Sequence, residues 1–369
     1  MRQSDSKNTA TFYFMDIEGM VPENHPLRKI RTMTDLALTS MKDTLDGLYQ
    51  ETGRPCIPPE MLLRSLLLQM LYSIRSERLL VEQLEYNMLF RWFVGLGPQE
   101  PVWDHSTYSK NRQRFLDGDL ARKFLMETVR QATDKGLVSD EHFTVDGTLI
   151  EAWASLKSLK PIHGKDGDDS KDPPPDDPGN PTVDFHGEKR ANDTHRSTTD
   201  RESRLARKGK GKEARLSYAG NALMENRNGL VVDGDLRIFE EDPERIGCLE
   251  MLARKQKGRA KRITLGGDKW FDEAKFVKAC RKMKITPHVA VKEKAGSGLV
   301  DERTLRYIGY WISQTIRKRV EEIFGWIKEP GRLKRAKQRG RKKVSWLFLF
   351  ALGVYNLVRM NGKLKVKMA

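Results

Sequence analysis

The chain has 369 residues, 38% of them hydrophobic and 32% charged, so it can bury a substantial core and has room for two domains. Its formal net charge of +16 favours a polyanionic partner such as DNA over a merely basic surface, because lysine and arginine displace counterions from phosphates. The three cysteines lack a paired spacing and the N-terminus lacks an apolar signal segment, which argues against a disulfide framework or a zinc site and indicates a reducing compartment, the cytoplasm.

Residues 1–135 predict a helical N-terminal domain. We expect an amphipathic helix over 27–49, then two apolar helices over 61–71 and 79–89, with Ser76 as the N-cap of the second. A third, basic helix is expected from Ser106 or Thr107 to Asp117. It carries three cations, which we take as candidate DNA contacts: Lys110, Arg112 and Arg114. The three helices fit either a DNA-reading helix-turn-helix or a module for packing or dimerisation, and the sequence favours neither.

A fourth helix, expected over 120–135, leads into a strand over 143–150, and the composition then changes abruptly. Residues 161–212 predict a flexible, charged insertion, because their first part is rich in Pro, Gly and Asp and cannot bury enough apolar surface to fold. The later part is basic and lacks the spacing of a phosphate-binding loop. It is interpreted as a tether near DNA or as a plain solvated loop.

The order of elements beyond the insertion indicates the fold. The predicted elements are a hairpin over 216–236 around Asn228-Gly229, a helix from Asp242-Pro243, a strand over 263–265, a helix over 271–282, a strand over 286–291 and a helix over 313–328. Together with the strand at 143–150, this succession predicts an α/β, ribonuclease H-like mixed sheet flanked by helices, with its first strand in the centre. We assign 136–160 and 213–360 to this catalytic domain and read the apolar run 344–358 as a buried helix, since it is too short for a bilayer.

Three acids on distant segments of this predicted fold are candidate site residues. Asp146 lies in the middle of the first strand, Asp268 follows the strand at 263–265, and Glu321 lies on the last predicted helix. An isolated acid at a strand end usually caps a turn, but three acids from three distant segments indicate a site that holds divalent cations. Two Mg²⁺ ions, which Mn²⁺ could replace, would then bracket an in-line displacement at phosphorus.

The last predicted helix carries two adjacent acids. At about 100° per residue, Arg317, Glu321 and Lys328 share a face beside an apolar stripe that runs from Ile312 to Ile327. A surface ion pair between Arg317 and Glu321 is the plainer interpretation. The angle does not exclude Glu322, and the two neighbouring cations are what favour Glu321.

A basic run without acids follows this helix. Its cations are candidates for contact with a DNA backbone, although such a run is more often a solvated face. The candidates are Arg332, Lys334, Arg335, Lys337 and Arg339.

Several short motifs, in this order, resemble the DDE transposases of bacterial insertion sequences, and most closely the insertion sequence five family. The motifs are Gly53-Arg54-Pro55, Ser73-Ile74-Arg75-Ser76-Glu77, Trp103-Asp104-His105-Ser106, Val145-Asp146-Gly147-Thr148, Met224-Glu225-Asn226-Arg227, Gly267-Asp268-Lys269 and Arg317-Lys318-Arg319-Val320-Glu321.

The resemblance implies a catalytic triad of Asp146, Asp268 and Glu321, which would also ligate the metal ions. The family's signature around its last acid has a Tyr where this chain has Gln314, which puts a supporting contact in doubt. Trp270 stands where the family more often has a small residue. It would either pack against the protein or stack on an unpaired base.

These observations predict a transposase that cuts double-stranded DNA at the terminal inverted repeats of its element and joins the 3′ hydroxyl to target DNA. It would act as a homodimer, associated with the nucleoid in a bacterial cytoplasm and not with a membrane. Two alternatives remain at this stage. One is a ribonuclease H-like nuclease without strand transfer, and the other is an inactive, transposase-derived DNA-binding protein.

Overall fold

The computed structural model describes residues 16–49, 56–162, 184–185, 188–209, 211–291, 300 and 302–367. The motif Gly53-Arg54-Pro55 and most of the loop expected after residue 291 lie outside the described residues. The helices are α1 Ile17–Met20, α2 Pro26–Ser40, α3 Lys42–Asp46, α4 Pro59–Leu71, α5 Glu77–Tyr86, α6 Met88–Val94, α7 Ser106–Asp117, α8 Leu120–Asp134, α9 Pro243–Gln256, α10 Ala274–Lys282, α11 Glu302–Arg306, α12 Ile308–Ile316, α13 Val320–Lys328 and α14 Arg341–Lys367. The strands are β1 His142–Glu151, β2 Leu159–Pro161, β3 Asp184–Phe185, β4 Glu188–Lys189, β5 His195–Ser197, β6 Arg204–Ala206, β7 Arg215–Glu225, β8 Val231–Ile238, β9 Ile263–Gly267 and β10 Ile285–Val289.

A mixed sheet forms the centre of the fold. Its main strands follow the order β8, β7, β1, β9, β10, with β1 antiparallel to β7 and parallel to β9. Helices cover both faces: α9 and α10 pack on one, α13 and α14 on the other. The first strand therefore lies in the centre, and the predicted ribonuclease H-like class is confirmed.

The first strand divides its side chains between the two faces. Phe143 and Val145 are buried in a core with Cys248 and Met251 of α9, whereas Ile150 lies in the core shared with α13 and α14. Because alternate residues of a strand face opposite ways, Asp146 is on the α13 side and Gly147 on the α9 side.

The hairpin between β7 and β8 is closed by a buried carboxylate. Glu225 is fully buried, and its two oxygens accept hydrogen bonds from four backbone N–H groups, those of Ser139, Arg227, Asn228 and Leu230. Gly229 adopts a left-handed conformation with φ of 75° in this turn. Glu225, one of the residues of the Met224 motif, thus fixes the turn against the segment that precedes β1.

The prediction of a flexible insertion over 161–212 is wrong for its later part. Strand β6 pairs with β7 as an additional strand of the central sheet, and β5 pairs with β2. Asp200, buried in this segment, accepts a hydrogen bond of 2.7 Å from the hydroxyl group of Tyr218. The polar composition indicated a flexible segment, but strand pairing and polar contacts hold these residues in place. Residues 163–183 lie outside the described part.

The N-terminal helices share one hydrophobic core with the last helix. Helix α14 packs against α8, α2, α4 and α7, and it also covers β8. Phe348 and Leu352 of α14 are fully buried in the same core as Leu62 and Phe124 of the N-terminal region. Helix α14 is long and apolar enough to cross a membrane, but most of it is buried inside the protein, which is typical of a core helix.

Two expected N-terminal helices are shorter than predicted. The first is broken at Met41, which ends α2 and precedes the short α3. The second ends before Asn87, whose side chain accepts from the N–H of Phe90 and caps α6. Hydrophobic spacing continues through both breaks, so periodicity alone did not reveal them. Ser76 caps α5 as predicted, through a 3.2 Å bond from the N–H of Leu79.

The long helix expected over 313–328 is interrupted. Helix α12 ends at Ile316, a 3₁₀ turn follows over Arg317–Arg319, and α13 begins at Val320. The predicted apolar stripe divides at this turn, since Val320, Ile323 and Ile327 are buried but Ile312 is 50% exposed. A 3₁₀ turn advances each residue by about 120°, so positions on its two sides lose the common phase.

Candidate active site

Asp146 lies at an open edge of the central strand. Strand β1 pairs with β7 through Glu151, but its pairing with β9 covers only His142 to Thr144. Beyond Thr144, the side of β1 that faces β9 is therefore no longer paired with it. The carboxylate of Asp146 accepts a 2.9 Å hydrogen bond from the N–H of Gly147 and is partly buried.

Asp268 follows the end of the neighbouring strand. The last pair of the parallel register sets Thr144 opposite Gly266, and Asp146 and Asp268 each follow that pair by two residues. The charge of Asp268 acts on Asp146. Asp268 begins a 3₁₀ turn, Lys269–Phe271, and its Oδ1 accepts a 2.8 Å bond from the N–H of Trp270. Strand order and register thus place these two carboxylates at the same edge of the sheet.

Glu321 reaches this edge from α13, which packs against β1. It lies in the first turn of that helix and is exposed. The adjacent Glu322 turns away, because its Oε2 lies 3.1 Å from Nη1 of Arg359 on α14. Of the two acids that the sequence left open, Glu321 is the one whose charge acts on Asp146.

The electrostatics of Asp146 reflect this convergence. Burial raises the pKa of Asp146 to about 6, and the negative charges of Asp268 and Glu321 contribute to the rise. The N–H of Gly147 and the positive charge of Arg317 oppose it. The charges of two other acids and one arginine therefore act on Asp146 at the edge of β1.

A fourth acid, Glu244, was missed by the sequence reasoning. It lies in the first turn of α9, and burial together with the charges of Asp146 and Asp268 raises its pKa to about 7. Ile246, in the same helix, is 42% exposed, whereas Leu252 is fully buried. The buried stripe instead runs through Gly247, Cys248 and Met251, which are three, four and seven residues after Glu244. Helical spacing from these residues was the signal that could have identified it.

The chemistry of these side chains suits a divalent cation. All four are carboxylates, the oxygen donors that Mg²⁺ prefers, and a cation would relieve the repulsion among them. In the described part of the chain, no three His, Cys, Asp or Glu side chains are close enough to share one ion. Mg²⁺ commonly takes one or two carboxylates and completes its shell with water and substrate phosphate.

Gln314 connects the end of α12 to the strands below it. Its Nε2 donates to the backbone oxygens of His288 and, at 3.4 Å, Gly267, which directly precedes Asp268. Its Oε1 accepts a 3.0 Å bond from Nε of Arg317. Gln314, which stands in place of the expected Tyr, thus holds Arg317 next to the strand end. Arg317 donates to Gln314, and no ion pair between Arg317 and Glu321 occurs among the residues described.

Trp270 is half exposed beside Asp268. The guanidinium of Arg245 lies 4.7 Å from the centre of its ring, and Nη2 of Arg245 donates to the Trp270 backbone oxygen at 2.7 Å. One part of the ring therefore packs against Arg245. The rest is accessible, which leaves both roles predicted for Trp270 compatible with its position.

Lys328 does not lie with the acids. Burial lowers its pKa, and the charged groups that act on it are Lys208, Glu151 and Lys334. Glu151 is the last residue of β1, so Lys328 lies near the far end of that strand from His142. Of the two cations proposed to flank Glu321, the structure brings only Arg317 to the carboxylates.

The basic run after α13 is attached to the rest of the protein. The N–H of Ala336 donates to the oxygen of Glu151 at 2.8 Å, which extends the end of β1. Lys337 donates to the oxygen of Arg75, and Arg335 stacks on Trp153 at 4.7 Å. Its exposed cations, all of them candidate DNA contacts, are Arg332, Lys334, Arg335, Lys337 and Arg339.

The three cations of α7 differ in their surroundings. Lys110 is exposed, Arg112 pairs with Glu77, and Arg114 stacks on Tyr49 at 5.0 Å. The opposite side of α7 is buried, so the helix does serve packing. Its role in reading DNA remains a prediction.

Two protein-family models match the chain. A transposase domain (DUF772) matches residues 15–114, and a transposase DDE domain matches residues 190–357. The second match includes Asp268 and Glu321, whereas Asp146 precedes it. No curated protein sequence gives a significant match.

Some solved transposase structures resemble the chain weakly. A piggyBac transposase synaptic complex with hairpin DNA is 10% identical, with 92% of this chain and 76% of that chain covered and a TM-score of 0.43. A Mos1 transposase paired-end complex with left transposon end is 14% identical, with 77% and 82% covered and a TM-score of 0.20. A Mos1 mariner paired-end complex with Mn is 14% identical, with 93% and 99% covered and a TM-score of 0.21. These similarities are too low to support conclusions about this chain.

Proposed function

We propose, for a chain that carries both a transposase domain and a transposase DDE domain, that Asp146, Asp268 and Glu321 form its catalytic site. The proposed reaction is cleavage of DNA at the ends of an element of the insertion sequence five type, followed by transfer of the 3′ hydroxyl into target DNA. The observation that supports it is the convergence of the three acids on the unpaired edge of β1. The proposal includes two Mg²⁺ ions, which Mn²⁺ would replace.

Both steps exchange one P–O bond for another. In the first, the oxygen of water attacks phosphorus and the 3′ oxygen leaves as a hydroxyl. In the second, the oxygen of that hydroxyl loses its proton and attacks a target phosphodiester, and the bond from phosphorus to the 3′ oxygen of the target strand breaks, so that this oxygen leaves as a hydroxyl. Bound divalent cations would supply charge neutralisation at the attacking and leaving oxygens. Asp146 and Asp268 would hold the cations from adjacent strands and Glu321 from the helix. Arg317, positioned by Gln314, would attract the phosphate group between them.

The basic surface supports DNA as the partner. The exposed cations of 332–339 lie in a segment that is bonded to Glu151, the last residue of the strand that carries Asp146, and the net charge of the chain is +16. Lys110, Arg112 and Arg114 on α7 are a second proposed contact with the terminal repeats. Because two element ends must be joined, we propose a homodimer on DNA, in a bacterial cytoplasm.

Substitution of the acids tests the proposal. Asp146→Asn, Asp268→Asn and Glu321→Gln should each reduce Mg²⁺-dependent cleavage on the order of a thousandfold or more, since a lost metal ligand costs several kcal/mol in the transition state. Binding of end DNA should be retained, as measured by a mobility shift.

Glu322→Gln is the matched control, because it removes a charge from the next position while leaving the three acids in place. Its cleavage should stay close to wild type. Cleavage by all three variants at the wild-type rate would refute the site. A wild-type protein that cuts DNA but never joins a pre-cut 3′ end to plasmid would instead be a nuclease.

A further inference from the structure

Glu244 approaches the catalytic strand through a gap left by a glycine. A Cβ atom placed on Gly147 would lie 2.6 Å from Oε1 and 2.7 Å from Cδ of Glu244. No side chain larger than hydrogen fits there without moving the carboxylate. The residue after Asp146 therefore admits Glu244 from the α9 face, whereas Asp146 itself is on the α13 face.

The start of α9 is held in this position by a buried amide. Asn221 of β7 is paired with Gly147 and is fully buried, and its Nδ2 donates to the oxygen of Pro243 at 3.2 Å. Gly247 permits the close approach, because a Cβ there would lie 2.5 Å from that Nδ2. The Oδ1 of Asn221 accepts no hydrogen bond from any described residue. A buried acceptor at the start of α9 suits a ligand that brings donors, such as a hydrated cation.

No basic side chain accounts for the carboxylate. Among the residues described, no Lys, Arg or His forms an ion pair with Glu244. The adjacent Arg245 is directed elsewhere, with Nη1 2.8 Å from Asp242 and Nη2 bonded to the Trp270 oxygen. Glu244 is thus a partly buried acid whose pKa is raised by burial and by the charges of Asp146 and Asp268 and lowered by that of Arg245, which forms no ion pair with it among the described residues. Such an acid is normally paired or coordinates a metal.

We propose that Glu244 is a fourth carboxylate ligand of the cation site and shares an ion with Asp146. The inference rests on the proposed function, since it adds a ligand to the same centre. It assigns to Gly147 the role of admitting that ligand. It also explains why acids reach one strand edge from both faces of the sheet.

The test is metal binding by the full-length protein without DNA. We would titrate Mn²⁺ calorimetrically and record the shift in melting temperature that Mg²⁺ produces. Glu244→Gln should weaken Mn²⁺ binding at least tenfold and reduce the Mg²⁺ shift. Without metal it should melt at or above the wild-type temperature, because repulsion is relieved. Glu241→Gln, at an exposed acid three residues earlier, should match wild type.

A second variant removes the gap and keeps the acid. Gly147→Ala should weaken Mn²⁺ binding to a similar extent, and adding Glu244→Gln to it should cause little further loss. If Glu244→Gln binds Mn²⁺ like wild type while Asp146→Asn does not, this inference is overturned and the proposed function stands. Wild-type Mn²⁺ binding by Asp146→Asn and Asp268→Asn would instead overturn the proposed site itself.

Discussion

At the scale of single residues, His288 supports the helix that carries Gln314. His288, in β10, is 6% exposed, and its Nδ1 lies 2.8 Å from the hydroxyl oxygen of Ser313. Its backbone oxygen accepts from Gln314, which holds Arg317. The side chain and the backbone oxygen of His288 thus both attach α12 to β10.

Burial lowers the pKa of His288 to about 4 from an ordinary value near 6.5. Between these two pH values the unfolded chain binds a proton that the folded protein rejects, so folding stability decreases as the pH falls from about 6.5 to 4. We expect His288 to contribute roughly 2–3 kcal/mol to this loss.

Urea unfolding at pH 7 and pH 5 measures the effect. From pH 7 to pH 5, the free energy of unfolding should decrease less in His288→Gln than in wild type. His105→Gln, which replaces a half-buried histidine, should show the same decrease as wild type. An equal decrease in wild type and His288→Gln would contradict the assignment.

At this scale, the sequence predicted most of the residues of the proposed site. Asp146 and Asp268 could be predicted because short hydrophobic runs mark β1 and β9 in the sequence. The position of each acid relative to its strand then follows. The choice between Glu321 and Glu322 needed the tertiary structure, since it depends on the ion pair of Glu322 with Arg359. Glu244 was hidden because Glu240, Glu241 and Asp242 precede it, and the spacing that singles it out is clear only once the buried residues of α9 are known.

At the scale of elements, the hairpin between β7 and β8 depends on Glu225. Glu225→Ala should lower the free energy of unfolding by about 3 kcal/mol or more, because four backbone N–H groups lose a buried acceptor. Thermal or urea unfolding measures this loss. Glu213→Ala, an exposed acid that pairs with Arg215, should change it by less than about 1 kcal/mol. Similar values for the two variants would show that the turn does not rely on Glu225.

Most elements were predictable and their interruptions were not. Strands β1, β9 and β10 and helices α4, α7 and α8 follow hydrophobic spacing closely. The 3₁₀ turn at 317–319 is different, because the apolar residues on its two sides, Ile316 and Val320, keep the spacing of a continuous helix. Gln314, just before the turn, is bonded to the strand ends, which the sequence does not reveal. Strand β6 was missed since a short polar strand is stabilised by its partner β7, not by its own composition.

At the scale of the whole molecule, the expected two domains share a single core. Helix α14 is surrounded by N-terminal helices and by β8, so the helical region is built onto the catalytic sheet. Hydrogen bonds also attach the basic segment after α13 to the N-terminal region. The hydroxyl group of Ser73 donates to the backbone oxygen of Pro330, and Nζ of Lys337 donates to the backbone oxygen of Arg75. A DNA contact along the segment would therefore have a fixed position relative to Asp146.

The salt dependence of DNA binding tests whether the basic segment after α13 contacts DNA. The double variant Lys334→Ala/Arg339→Ala should weaken binding and lower the slope of log K against log salt by about 1–2, since each phosphate contact releases counterions. Lys278→Ala/Lys282→Ala, which removes the same charge from exposed positions of α10, should retain the wild-type slope. Equal slopes for both double variants would place the DNA elsewhere.

The central claim is that distant acids meet around one cation-binding centre, and cleavage of the polypeptide by bound iron tests it most directly. Fe²⁺ in place of Mg²⁺, with ascorbate and peroxide, produces radicals that cut the backbone next to the ion. The account predicts cuts near Asp146, Asp268 and Glu321 together, all suppressed by excess Mg²⁺ and all lost in Asp146→Asn. Cuts confined to one of these segments, or unaffected by Mg²⁺, would contradict it.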